Sequence, residues 1–196
     1  MIGLFALLAC HDTSRDSGAG AADTSQPDSA GDTSATDEDD ARVRALTDLP
    51  EGDRPCASPV LGRVVHVVDG DTAWVQPDDG SSERDVRFIG VDTPEIAHED
   101  PAECYGDEAA AFTLQELDGR MVWLTFDEEC LDPYDRTLAY VFRDTTDEGF
   151  FNRRLARAGY AYQLSIAPNE SFKAEIRDDV AAAKADKLGL WGACRQ

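Results

Sequence analysis

The sequence changes character near residue 60. From Leu61 onward, short runs rich in β-branched residues are separated by turn residues, whereas residues 11–55 offer little to bury. A chain divided in this way builds one core, and builds it from its C-terminal two-thirds. Residues 61–68, 72–76 and 84–91 read as three strands, with Pro77, Asp78, Asp79 and Gly80 as a turn between the last two. Residues 107–117 read as a helix with Ala110, Leu114 and Leu117 on one face, stopped at Asp118-Gly119. Residues 120–126 and 136–142 are strands four and five. Residues 150–158 form a short helix that ends at Gly159, and a last helix spans about 171–187. Three strands, a helix and two strands is the order of an OB-type barrel. The expected fold is therefore mainly β with α (α+β): a five-stranded barrel with three helices.

The chain before that domain divides in two. Residues 1–9 are almost wholly apolar, and Leu7-Leu8-Ala9-Cys10 resembles a bacterial lipobox, whose cysteine is acylated and becomes the mature N-terminus. A signal cut near Ala9 is the alternative, and both readings export the protein, as a membrane-anchored lipoprotein or as a secreted one. The apolar run has no basic residues before it, which suggests an upstream start. Residues 11–55 are rich in Asp, Ser, Thr, Ala and Gly, have no aromatic residue, and carry the acidic block Asp37-Glu38-Asp39-Asp40. Such a composition predicts a disordered acidic linker. The domain is then expected over residues 56–196, working as a monomer.

Charge narrows the possible partners. The 196 residues hold 18 Lys and Arg against 40 Asp and Glu, a net of −22. Residues 1–59 contribute −8 and residues 60–196 contribute −14, so both parts are acidic. The basic footprint of a typical nucleic-acid binder is missing. No apolar run reaches the ~18–20 residues of a spanning helix.

Four local patterns carry chemistry: Asp69-Gly70-Asp71-Thr72 between strands one and two, Arg87 on strand three, Asp92-Thr93-Pro94-Glu95 after it, and Asp132-Pro133-Tyr134-Asp135-Arg136 leading into strand five. Asp71 and Asp92, at the ends of neighbouring strands, are hard oxygen donors suited to Ca²⁺ or Mg²⁺. Arg87 and Arg136 are planar forks suited to a phosphate. A metal, a carboxylate and two arginines around one phosphate form the apparatus for phosphodiester hydrolysis. Taken singly, each pattern is more often a turn, a strand-face arginine or a loop.

In this order and spacing the patterns resemble the staphylococcal (micrococcal, thermo-) nuclease domain family over about residues 61–192. Further matching text is Tyr105 to Thr113, Asn152 to Gly159, and Lys187 to Trp191. The resemblance implies an OB-fold nuclease that cleaves DNA and RNA with Ca²⁺ and leaves 3′-phosphates, an endonuclease. Carried over by motif, Asp71, Asp92 and the Thr93 carbonyl hold the metal. Glu95 is the general base or water-orienting group, and Arg87 and Arg136 are catalytic and bind phosphate, with Tyr134 on the substrate side. Asp69 supports the metal loop.

Departures from the family pattern thin the substrate-holding residues. Asp-Lys-Tyr-Gly-Arg becomes Asp132-Pro133-Tyr134-Asp135-Arg136, which loses a lysine and sets an acid where Asp135 is expected to pair with Arg136. The base-pocket tyrosines become Leu164 and Ile166, with Tyr162 out of register, a loss of about 1–3 kcal/mol of stacking. These features predict a weak-binding nuclease, most active at low ionic strength. A degenerate nuclease-like binding module and a structural envelope lipoprotein are the competing readings, and the intact set of Asp71, Arg87, Asp92, Glu95 and Arg136 argues against both.

Apart from Cys10, four cysteines remain, which allow three disulfide connectivities. Cys56 and Cys194 bracket the domain, and Cys104 and Cys130 lie on loops near the site. The expected pairs are Cys56–Cys194 and Cys104–Cys130. No zinc spacing is present; His66 reads as a strand-face residue, and His98 falls in an acidic loop. Trp74, Trp123 and Trp191 read as packing residues.

Overall fold

The computed structural model describes residues 33–97 and 101–195. Five strands close a barrel: β1 (Val60–Val67), β2 (Thr72–Pro77), β3 (Arg84–Phe88), β5 (Met121–Thr125) and β6 (Thr137–Phe142). Their order around the barrel is β1-β2-β3-β6-β5, and β5 returns to β1. β3 and β6 run parallel; every other barrel pairing is antiparallel. This is the OB-type barrel that the strand order predicts.

Alternation along the strands fills the interior. Val64, Val75, Val86, Phe88, Leu124 and Val141 point inward and are essentially inaccessible. Helix α2 (Gly106–Leu117) closes one end through Ala109, Thr113 and Leu117. Helix α3 (Phe151–Arg157) adds Phe151 and Leu155, and α4 (Lys173–Ala185) adds Ile176 and Ala183. A row of rings, Tyr105, Tyr160, Phe112 and Phe151, stacks between α2 and α3 with centroid spacings of 4.3 to 5.9 Å. A short α5 (Leu190–Ala193) holds the tail.

The third sequence-read strand is broken in two. Gly90 has φ +86, a left-handed value open to glycine, and the chain turns there into β4 (Gly90–Asp92). β4 pairs with β7 (Tyr162–Leu164), a strand of three residues too short to show periodicity. This break carries Asp92 away from the barrel wall and toward its mouth.

The linker reading fails for residues 33–55. Residues 33–44 form helix α1, and the chain after it lies along the barrel as a strap. Val43 is buried, and Trp123 Nε1 donates to its carbonyl at 2.8 Å. The Gly52 and Cys56 amides donate to the carbonyls of Phe126 and Asp127 at 2.9 and 2.7 Å. The strap needs few apolar residues because the barrel supplies partners for its polar ones: Asp39 meets Arg143, Asp40 meets Arg63, and Arg44 meets Asp78. Folded structure therefore begins well before Cys56. Residues 1–32, with Cys10 and the apolar leader, and residue His98 lie outside the described residues. No helix of the described residues is long and apolar enough to cross a membrane.

Both expected disulfide pairings are overturned. The bonds are Cys56–Cys130 and Cys104–Cys194. The strap brings Cys56 alongside the segment that follows β5, where Cys130 stands. At the other end, Leu190 N donates to the Gly159 carbonyl at 2.9 Å, which docks α5 beside the Tyr105–Tyr160 stack and delivers Cys194 to Cys104. The two ends of the domain each pair with an internal loop and not with one another.

Candidate active site

Asp69-Gly70-Asp71-Thr72 forms the tight link between β1 and β2. The Asp69 carboxylate accepts from the Asp71 amide at 3.0 Å, an Asx-type turn. Thr113 of α2 donates its hydroxyl to the Gly70 carbonyl at 2.6 Å and pins the loop from outside. Gly70 is required by close approach: a Cβ there would stand 2.6 Å from Thr93 Oγ1. Thr93 is consequently held against Asp71, and its amide donates to Asp71 Oδ2 at 2.7 Å.

Arg87 sits between the two aspartates. One terminal nitrogen is 3.1 Å from Asp71 Oδ2, and the other donates to Asp92 Oδ1 at 2.8 Å. The same guanidinium also donates to the carbonyls of Phe88 and Val91, at 3.0 and 2.8 Å. Four acceptors fix a side chain that is only 13% exposed. The turn at Gly90 is what folds Asp92 back within its reach.

Burial pushes the Asp71 carboxyl up to about 7, and the charges of Asp69 and Asp92 push the same way, against Arg87 and the Thr93 amide. Glu95 is also raised, first by burial and then by Asp69 and Asp92. Its backbone is clamped by Glu103, whose carboxylate accepts from the Glu95 amide at 3.2 Å and whose own amide donates to the Glu95 carbonyl at 2.9 Å. The site therefore holds more negative charge than Arg87 balances. Its donors are all oxygens, with no His or Cys, which suits a hard divalent cation. Among the described residues no group of three or more His, Cys, Asp or Glu forms a metal cage. Asp71, Asp92 and the Thr93 carbonyl are the oxygens that could take a cation keeping much of its own water, in exchange for the Arg87 contacts of the two carboxylates.

Arg136 approaches from the loop before β6. Its Nε donates to Asp132 Oδ2 at 2.7 Å, while Asp132 Oδ1 accepts from the amides of Tyr134 and Arg136 at 2.8 and 2.9 Å. Burial alone would raise the Asp132 carboxyl, but these bonds outweigh it and hold the group below its ordinary range. The partner of Arg136 is thus Asp132, not Asp135. Asp135 instead occupies the tip of the turn with φ +65, a conformation Asp tolerates better than most residues.

Arg87, Asp92, Glu95, Tyr134 and Arg136 all line one cleft of about 540 Å³. Its far wall is aliphatic, made by Leu131, Leu138, Leu164 and Ile166. Tyr134 is 81% exposed, with Arg136 5.8 Å from its ring centre. Of the positions singled out in the sequence, Asp71, Arg87, Asp92 and Thr93 are joined by direct bonds, and Glu95, Tyr134 and Arg136 share the cleft with Arg87 and Asp92. Asp132, Glu103 and Thr113 position these groups without having been singled out for that role. Only Asp132 left a signal, an acid four residues before the arginine in a Pro-containing turn.

Comparison with known proteins places the chain among nucleases by sequence. A family profile described as staphylococcal nuclease homologue matches residues 85–193. Over 129 residues the chain is 39% identical to a thermonuclease of Staphylococcus intermedius, covering 65% of this chain and 74% of that protein. It is 36% identical over 130 residues to a thermonuclease of Staphylococcus hyicus, at 66% and 74% coverage. It is also 34% identical over 130 residues to endonuclease YncB of Bacillus subtilis strain 168, at 63% and 58% coverage.

Proposed function

The chain belongs to the staphylococcal nuclease homologue family, and from that premise we propose that it is an exported, Ca²⁺-dependent nuclease that cuts DNA or RNA internally and leaves 3′-phosphates. The nuclease function follows from family membership. The observation that carries the finer reading is the Asp71–Arg87–Asp92 cluster at the mouth of a cleft that also holds Glu95 and Arg136.

In this reading the two arginines bind the scissile phosphate from separate elements, a strand and a loop. Arg87 is held by β3 and the β4 turn, and Arg136 by the Asp132 loop. Their forks stabilise the charge that builds on the phosphoryl oxygens as water attacks. Glu95, raised by burial and by its acidic neighbours, orients that water and takes its proton. Asp71, Asp92 and the Thr93 carbonyl would hold Ca²⁺. When bound, the ion supplies further neutralisation of phosphate charge. The clamp of Glu103 on the Glu95 backbone fixes the direction of attack.

Substrate grip is weak. Arg87 already bonds two carboxylates and Arg136 one, so a phosphate competes with internal anions for both. The aliphatic wall of Leu164 and Ile166 offers no stacking surface. High salt and long-range repulsion by an acidic domain both act against binding.

Cleavage of linear and single-stranded DNA with Ca²⁺ and with chelator tests the reading. Ca²⁺-dependent degradation that is lost in Glu95→Gln is the expected outcome. Cleavage indifferent to chelator, or equal in Glu95→Gln, overturns it. Export with a lipid on Cys10 is a separate part of the proposal, tested by incorporation of labelled palmitate that Cys10→Ala abolishes.

A further inference from the structure

Helix α1 and the barrel border an open recess that shares no lining residue with the cleft. It is lined by Ala35, Thr36, Asp39, Arg42, Arg120 and Arg143 and measures about 360 Å³. Three guanidinium groups converge there on one carboxylate. Arg42 and Arg143 bond the Asp39 carboxylate directly, and Arg120 lies 3.8 Å from it. Among the described ion pairs, none of these three arginines has an acidic partner other than Asp39. Arg143 Nε is buried and has no hydrogen-bond partner.

The acids nearby are engaged elsewhere. Asp144 accepts from the Thr146 amide and hydroxyl, and Glu148 pairs with Arg157. Arg154, on the rim of the adjoining recess, pairs with Glu116. The residues lining the recess therefore sum to about +2, beside a helix that also bears Asp37, Glu38 and the Arg63-paired Asp40 and in a protein whose net charge is −22. A carboxylate seated among three planar forks has the donor environment that a phosphate prefers.

We infer that Arg42, Arg120 and Arg143 form a second, non-catalytic site for the phosphodiester backbone of a nucleic acid, and that Asp39 of α1 occupies it as an internal stand-in for a phosphate. The site goes beyond the catalytic reading and does not depend on it. Arg136 and Arg143 flank opposite ends of β6, seven residues apart, or about 23 Å of extended chain. That separation equals roughly seven phosphate intervals of a stacked strand. A long substrate can engage both regions; a dinucleotide cannot.

The test is fluorescence anisotropy of a labelled single strand of about 20 nucleotides with the full chain in chelator, across a salt series. Asp39→Asn is expected to tighten binding about three- to tenfold at low salt and to steepen the slope of log affinity against log salt by about 1–2. Adding Arg120→Gln and Arg143→Gln to Asp39→Asn should erase the gain. Adding only Arg120→Gln to Asp39→Asn, at a half-exposed position, should erase part of it and guards against a misfolded triple variant. A labelled dinucleotide should bind all variants alike. Equal oligonucleotide affinity of parent and Asp39→Asn overturns the proposal. So does a gain seen only on phosphatidylserine vesicles. Because binding is read without cleavage, the outcome is independent of whether the cleft proves Ca²⁺-dependent.

Discussion

Arg136 is tied to Asp132 four residues earlier, by a 2.7 Å bond from its Nε, and the same carboxylate caps two backbone amides of the loop. One acid therefore sets both the loop and the arginine's direction. The two functions separate by substitution. Asp132→Asn keeps an amide acceptor for the loop but loses the ionic bond to Nε. It should lower kcat about tenfold with KM within a factor of about two, the signature of a misdirected group in the transition state. Asp132→Ala removes the cap as well and should also cost about 1–3 kcal/mol of stability. Steady-state kinetics with a thermal melt of each variant check both. A kcat unchanged in Asp132→Asn would show that Arg136 directs itself.

The disulfides tether the loops proposed to carry the chemistry. Cys104 adjoins Glu103, which clamps Glu95, and Cys130 lies just before the Asp132 turn. The closed loops are long, with sequence separations of 74 and 90 residues. In the chain-entropy account each stabilises by about 4–5 kcal/mol. Non-reducing peptide mapping should recover Cys56 joined to Cys130 and Cys104 joined to Cys194. Cys104→Ser with Cys194→Ser should lower Tm by roughly 8–18 °C at about 2–4 °C per kcal/mol. Any other pairing, or a Tm unmoved by reductant, contradicts this assignment.

What the sequence reveals and what it hides divide along a physical line. Asp71, Arg87, Asp92 and Glu95 sit at fixed offsets from strand ends, so local pattern places them. The barrel follows from the order of its strands. The disulfide pairing depends instead on where the strap and the C-terminal turn dock, a contact between segments 74 and 90 residues apart that composition does not encode. Helix α1 and the strap escape notice for a related reason: they are held by ion pairs and backbone bonds to the barrel, while sequence reading weighs apolar content. Adjacency in the sequence makes Asp135 a candidate partner that would weaken the grip of Arg136. The left-handed turn at Asp135 leaves that contact to Asp132.

Tyr140 and Asp127 form a buried pair whose bond should appear in the alkaline limb of stability. The Tyr140 hydroxyl donates to Asp127 Oδ2 at 2.7 Å, and Ser171 donates to the same carboxylate from its amide and hydroxyl. Burial, then the bond to Asp127 and its charge, raises the tyrosine above its ordinary value. Above pH ~10 the unfolded chain loses the phenolic proton while the folded chain keeps it, so stability falls as pH rises. The contribution is fully present below that pH. Tyr140→Phe should be less stable than the parent by about 1–3 kcal/mol at neutral pH, and the gap should narrow above pH ~10. Denaturant melts from pH 7 to 11 measure it; a constant gap would refute the assignment.

Gly70 links the acidic turn to the residue proposed to lend its carbonyl to the metal. A Cβ at Gly70 would meet Thr93 Oγ1 at 2.6 Å and Cγ2 at 2.7 Å. The loop has no room to retreat, since Thr113 holds the Gly70 carbonyl at 2.6 Å. Thr93 must therefore yield, and its amide is what fixes Asp71. Gly70→Ala should cost about 1–3 kcal/mol through overpacking. It should also raise the Ca²⁺ concentration needed for half-maximal cleavage about tenfold, or ~1.4 kcal/mol of metal affinity. Gly80→Ala is the matched control. It lies in an exposed turn with φ +79 and nothing within 4 Å, so it pays backbone strain of about 1–2 kcal/mol and leaves the site alone. Ca²⁺ titrations of cleavage in both variants separate local displacement from general destabilisation. A Ca²⁺ requirement that shifts equally in both, or in neither, would remove Thr93 from the metal set.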